Sequence, residues 1–260
     1  MAEADTAART NTVSTLLVLT GILAQIGYPL LSGEALEVAT VLSVLLLSAG
    51  GVLHAAAAWG PGAAGLLLAL AGGLGLLAET IGVHTGFPFG VYHYAGGLGP
   101  RLAGVPLVVP LAWTMLAYPC LLLGRRLAHK HRRGRWATAL TGGIALAAWD
   151  LFLDPQMVAQ GNWTWADSTP ALPGVPGVPL TDYAGWLLIS VLMTAALDRC
   201  LPIPFPPRKL APAAVLAWTW LGSAVGNLMF FDRPWVALYG GLAMGTVTLP
   251  YLLIESGRHR

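Results

Sequence analysis

The chain has 260 residues, 56% hydrophobic and 10% charged, with 14 basic against 12 acidic side chains, a net charge of +2 and 32 glycines. An ordinary soluble domain carries roughly a quarter charged residues, so this balance excludes a soluble enzyme and fits closely packed, glycine-rich membrane helices. The basic residues cluster between apolar segments instead of forming a stripe, which speaks against nucleic acid as a partner.

Apolar runs near twenty residues predict an all-α, polytopic transmembrane bundle in one membrane domain over residues 1–260. Its spans, about eight, fall near residues 12–31, 38–59, 62–84, 105–123, 136–154, 183–200, 211–231 and 235–254. The first run is too long for a signal-peptide core, and its leader holds one basic residue, Arg9, beside Glu3 and Asp5, so it is expected to be retained. His54, in the second run, is expected to be a packed histidine.

The third run ends on ETIGVHTGFPFGVYHY, residues 79–94. Glu79 sits about a turn inside the span, where an ionised carboxylate is costly; it must be paired, face a wet cavity or hold a proton. A plain ion pair with a neighbouring helix, or reach to the interface, would also satisfy it. His84 shares a helical face with Thr80, whereas five residues turn a helix by about 140°, so Glu79 and His84 should not share one. His84 then serves either the site or the membrane interface; His93, in the loop, is a weaker candidate.

The fifth run ends on AAWDLFLDP, residues 147–155. Asp150 and Asp154 are one turn apart and can project from one face, while Pro155 is expected to end the helix there. Two acids at close range favour one keeping its proton, which suits an acid and a base side by side; Asp154 is alternatively an ordinary helix-end residue. The same Asp-x-x-x-Asp spacing raises a magnesium-bound diphosphate, but that needs a second acidic motif and nearby cations, and this side of the chain offers only Arg101 and Arg233.

Aromatics flank both acids: Phe87, Phe89, Tyr92, Tyr94, Trp113, Trp149, Phe152, Trp163 and Trp165. Most fit an interfacial belt, yet electron-rich faces also stabilise a developing cation, and Trp113 and Trp149 are the strongest candidates for that. The 155–182 connection is long enough to act as a lid. Asn227, near the end of the seventh run, either completes the polar cluster or makes a helix-helix hydrogen bond.

Arg125, Arg126, Lys130, Arg132, Arg133 and Arg135 fall in the fourth connection, Arg199, Arg208 and Lys209 in the sixth, and Arg258 and Arg260 in the tail. The positive-inside rule places these groups, and with eight spans both termini, in the cytoplasm. Glu79, His84, His93, Asp150, Asp154, the 155–182 connection and Asp232 then gather toward the outer face. Cys120 and Cys200 fall near inner helix ends, where reducing conditions disfavour a disulfide.

The blocks ETIGVHTGFPFGVYHYAGGLGPRLAGVPLVVPLAW and AAWDLFLDPQMVAQGNWTW resemble those of the carotenoid-biosynthesis membrane proteins of the bisanhydrobacterioruberin hydratase and gamma-carotene hydratase type, over about residues 40–250. The resemblance implies addition of water across the terminal trisubstituted double bond of an acyclic carotenoid, giving a tertiary alcohol in the cell membrane. A long carotenoid substrate and membrane lipid are the implied partners, with room for other carotenoid-biosynthesis enzymes. Such a hydration needs a Brønsted acid, a surface tolerant of a tertiary cation and a base for the attacking water, and no cofactor or metal. Asp150, Glu79 and Asp154 are the candidate acids and bases. His84, Phe89, Tyr92, Tyr94, Trp113, Trp149, Trp163, Trp165 and Asn227 are the candidate substrate-binding residues. A proton-coupled transporter would also carry carboxylates in its spans, and a non-catalytic carotenoid-binding subunit would use the same groove without turnover.

Overall fold

Long runs of Leu, Ala, Val and Gly cannot leave backbone groups unpaired in hydrocarbon, so each run closes its hydrogen bonds within itself as a helix. The computed structural model describes residues 2–130, 134–203, 206 and 210–257. Its helices are α1 (Ala2–Ile26), α2 (Gly33–Trp59), α3 (Pro61–Leu67), α4 (Gly73–Thr85), α5 (Val108–Lys130), α6 (Arg135–Ala159), α7 (Leu180–Cys200), α8 (Leu210–Met229) and α9 (Pro234–Ser256). A π-helical turn, Leu68–Gly72, joins α3 to α4 as one rod, Pro61–Thr85, so the described residues form eight rods. Seven are long and apolar enough to cross a membrane, which makes this an integral membrane protein. The eighth rod, α8, is diluted by Trp218, Trp220 and Asn227, but packs along α9 and against α1 and α5.

Almost every residue of α5 from Val108 to Ala128 is buried, so this helix is the axis on which α2, α6 and α7 assemble. Small residues allow the close approach. A Cβ added to Gly124 would fall 2.5 Å from the Thr138 carbonyl oxygen, and one added to Gly142 would fall 2.8 Å from that of Cys120. The backbones of α5 and α6 therefore touch without intervening side chains.

Three expected boundaries shift, each for a physical reason. The fourth span runs on to Lys130, because Arg125 and Arg126 are buried and ion-paired instead of lying in a connection. Arg125 Nε donates to Asp198 Oδ1 at 2.7 Å, and Arg126 Nε lies 2.6 Å from Glu255 Oε1. The fifth span does not stop at Pro155; α6 carries that proline inside it and ends at Ala159. The following turn holds the extension in place, with Gln160 N–H donating to Gln156 O and Asn162 N–H to Met157 O. Finally, α7 begins at Leu180, which moves Asp182 from the connection into the helix.

Three antiparallel ladders cover the end of the bundle where Glu79 lies. β1 (Tyr92–Tyr94) pairs with β4 (Trp163–Trp165), β2 (Arg101–Leu102) with β3 (Val105–Pro106), and β5 (Ala171–Leu172) with β6 (Val175–Pro179). The 155–182 connection is thus tied strand to strand to the loop after α4. His54 is packed as expected, its Nδ1 2.7 Å from Tyr118 Oη, and Cys120 and Cys200 are both free thiols. Arg132, Arg133, Arg208, Lys209, Arg258 and Arg260, which enter the charge argument for orientation, lie outside the described residues.

Reporter fusions test that orientation. With 12 of 14 basic residues assigned to one side, a fusion after Arg133 reports cytoplasm and one after Ser168 reports the exterior. Reversal of either signal contradicts the assignment.

Candidate active site

Strand alternation sets the first half of the site. Along β1, Tyr92 and Tyr94 turn inward while His93 is exposed, and opposite them Trp163 and Trp165 turn inward while Thr164 is exposed. Both phenols reach the buried Glu79: Tyr92 Oη donates to Oε2 at 2.5 Å and Tyr94 Oη to the same oxygen at 2.7 Å. From α5, Trp113 Nε1 donates to Oε1 at 3.0 Å. Burial first, and the Glu79 carboxylate second, push both phenols well above the usual tyrosine range, so they remain protonated donors. Glu79 is therefore a carboxylate held by three donors from two elements.

A glycine makes this geometry possible. A Cβ on Gly75 would lie 2.7 Å from Trp113 Cγ, so only glycine lets the indole lie against α4. Trp113 in turn stacks on Trp186, with ring centroids 4.0 Å apart and planes at 12°, and Trp149 meets Trp186 edge-on at 5.8 Å. Trp165 stacks on Tyr92 at 5.6 Å and donates through Nε1 to Phe89 O at 2.9 Å.

The second half is a carboxylate cluster. Asp150 and Asp154 of α6 and Asp182 of α7 are all buried, and each offers an oxygen within 4.8 Å of those of the other two. Among the described residues, no donor from outside the cluster meets either oxygen of Asp150 or Oδ2 of Asp182. The Arg125–Asp198 pair is 16 residues farther along α7 than Asp182, about 24 Å at 1.5 Å per residue, too far to neutralise it. Without a counter-charge, three such groups cannot all be charged at once in a buried site.

A cavity of about 70 Å³ joins the two halves. Its wall includes Glu79, Trp113, Trp149, Asp154, Asp182 and Trp186. Of the residues singled out in the sequence, Phe89, Tyr92, Tyr94, Trp163 and Trp165 also line it, whereas Asp150 sits behind the wall. His84 does not join them: it is exposed, with Nδ1 2.8 Å from the Thr80 carbonyl of its own helix. Asn227 does not complete the acidic cluster either; it lines a separate, larger chamber and donates to Ser223 O of its own helix.

Two residues escaped the sequence argument. Asp182 lies 32 positions after Asp150, in a stretch that reads as loop, and Trp186 reads as an ordinary aromatic within a span. The available signal was their four-residue spacing, which places both on one face of α7. With Asp182 present, the three acids also form an oxygen donor set of the kind a hard divalent cation takes. The rest of the wall, aromatic and apolar, adds few further oxygens.

These features define a polytopic helical membrane protein with a buried acidic site under an aromatic roof. A family model described as carotenoid biosynthesis protein matches residues 36–247, and the chain belongs to that family. Among curated proteins, the bisanhydrobacterioruberin hydratase of Haloarcula japonica is 33% identical over 169 residues, covering 61% of this chain and 53% of that protein. The matched region thus spans about half the length of that relative. No solved structure matches the chain.

Two substitutions probe the anchoring of Glu79. Gly75→Ala forces Trp113 out of place and lowers stability by about 1–3 kcal/mol. Tyr92→Phe leaves a buried carboxylate one donor short, at a cost of about 1–3 kcal/mol. Both should lower the melting temperature of the purified protein, and unchanged melting would refute the contacts.

Proposed function

We propose that the chain is a carotenoid hydratase of the cytoplasmic membrane, adding water to the terminal trisubstituted double bond of an acyclic carotenoid end group. One observation carries this reading: Asp154 and Asp182 face a largely aromatic and apolar cavity, and they belong to a buried three-carboxylate cluster. Family membership and the hydratase relative support it.

In this mechanism Asp154, in its acid form, gives a proton to the less substituted alkene carbon. The π pair becomes the new C–H bond, and the positive charge falls on the tertiary carbon. The stacked Trp113 and Trp186 faces, and the Glu79 carboxylate held beside Trp113, offset that charge. Water then attacks the cation, and its surplus proton passes to Asp182, which lines the cavity. Asp150, behind the wall, relays that proton back toward Asp154, so the cycle closes with no net change in the protein. The sequence alone ranks Asp150 slightly first as donor; because it is not among the cavity-lining residues, the mechanism gives it a positioning and relay role.

The test is expression in a host that accumulates an acyclic carotenoid, with chromatography of the pigments. Conversion to a more polar tertiary alcohol is expected, and it should survive a metal chelator. Asp154→Asn and Asp182→Asn should each lower conversion by roughly 100- to 10,000-fold at matched protein levels, with a smaller loss for Asp150→Asn. Wild-type conversion by both of the first two variants would refute the acid-base assignment.

A further inference from the structure

At the end of the bundle away from the acids, a pocket of about 300 Å³ opens where α5, α6 and the end of α7 meet. Arg125, His129, Arg135, Thr138, Asp198 and Ile203 are among its walls. Two arginines thus face one carboxylate, and that carboxylate is already engaged. Arg125 Nε donates to Asp198 Oδ1 at 2.7 Å, and the other guanidinium nitrogens donate to the carbonyls of Asp198, Leu201 and Pro202. Arg125, buried and neutralised, forms the floor. Arg135 is exposed and has no ion-pair or hydrogen-bond partner among the described residues.

Arg135 stands where local preference opposes a cation. It is the first residue of α6, and the backbone N–H groups of a helix start favour an anion instead. The first turn carries no acidic residue, and Gly134 before it supplies no side-chain cap. An anion seated here would meet the guanidinium and the helix start together. Apolar surface continues from the same place. Trp136, Leu140 and Ile144 follow one another at four-residue spacing on one face of α6, and they are 72%, 51% and 39% exposed. In a membrane this stripe leads from the pocket into the hydrocarbon, a track that acyl chains need and a free anion does not.

We propose that this pocket binds the phosphate headgroup of an anionic phospholipid, with Arg135 contacting the phosphate and an acyl chain lying along Trp136, Leu140 and Ile144. The distribution of basic residues assigns this end to the cytoplasm, so the lipid belongs to the inner leaflet, where basic pockets between helices take anionic headgroups. The three helices that meet here carry Trp113, Asp154 and Asp182 toward their other ends. A lipid in the pocket thus braces the frame that holds the candidate active site. The inference does not depend on the hydratase reading.

Native mass spectrometry of the full chain, purified in neutral detergent and stripped of lipid, reads the binding directly. The probes are dioleoyl phosphatidylglycerol, dioleoyl phosphatidylcholine and inorganic phosphate. The wild type should bind phosphatidylglycerol about fivefold more tightly than phosphatidylcholine, the effect of roughly one basic residue on an anionic headgroup, and inorganic phosphate should not displace it. Arg135→Gln should abolish the preference. So should Ile203→Asp, which adds a carboxylate at a position 69% exposed and therefore tolerant of change. Arg9→Gln, which removes an exposed cation outside the pocket, should leave the preference intact. Melting curves confirm that each variant is folded. Equal wild-type affinity for the two lipids, an unchanged preference in Arg135→Gln or Ile203→Asp, or its loss in Arg9→Gln would each overturn the proposal. Displacement by inorganic phosphate would make this a site for a free anion and overturn the lipid assignment.

Discussion

The constraint on which everything else depends is the cost of placing carboxylates in an apolar bundle. Glu79, Asp150, Asp154 and Asp182 are all buried, and each must be compensated or hold a proton. The protein uses both means side by side. Glu79 is surrounded by donors, two phenols and an indole. The aspartates meet one another instead. One carboxylate is thereby suited to hold negative charge, and a cluster beside it to exchange protons.

The rest of the architecture serves that contrast. Gly75 lets Trp113 reach Glu79, and the β1–β4 ladder brings Tyr92 and Tyr94 down from one connection and Trp163 and Trp165 from another. The buried axis α5 carries both Trp113 at the acidic end and Arg125 and Arg126 at the other, where Asp198 and Glu255 pair with them. The cations of α5 are thus kept, with their own acids, away from the Glu79 end. Charge at the acidic end is left to aromatic faces, carboxylates and shared protons.

Much of this was legible in the sequence. Composition and run length give the helical bundle, and the depth of Glu79 and the one-turn spacing of Asp150 and Asp154 mark the acidic end. Trp113 and Trp149 stand out by their nearness to those acids. Long-range pairing was not legible. Asp182 meets Asp150 only through the packing of α6 on α7, and no local pattern encodes it. Nor does local preference settle Pro155, where the pull of the proline toward a helix end is overridden by the hydrogen bonds of the turn beyond it. His84 lies apart from the cavity, exposed on α4 with Nδ1 2.8 Å from the Thr80 carbonyl, and Asn227 lines the neighbouring chamber.

In the proposed mechanism water, not an oxidant, supplies the new oxygen. Conversion carried out in oxygen-18 water under strict anaerobiosis tests it most directly, with the pigment read by mass spectrometry. The mechanism predicts that the alcohol forms without dioxygen and carries the solvent label. A product that appears only with dioxygen present, bearing oxygen from that gas, would contradict it.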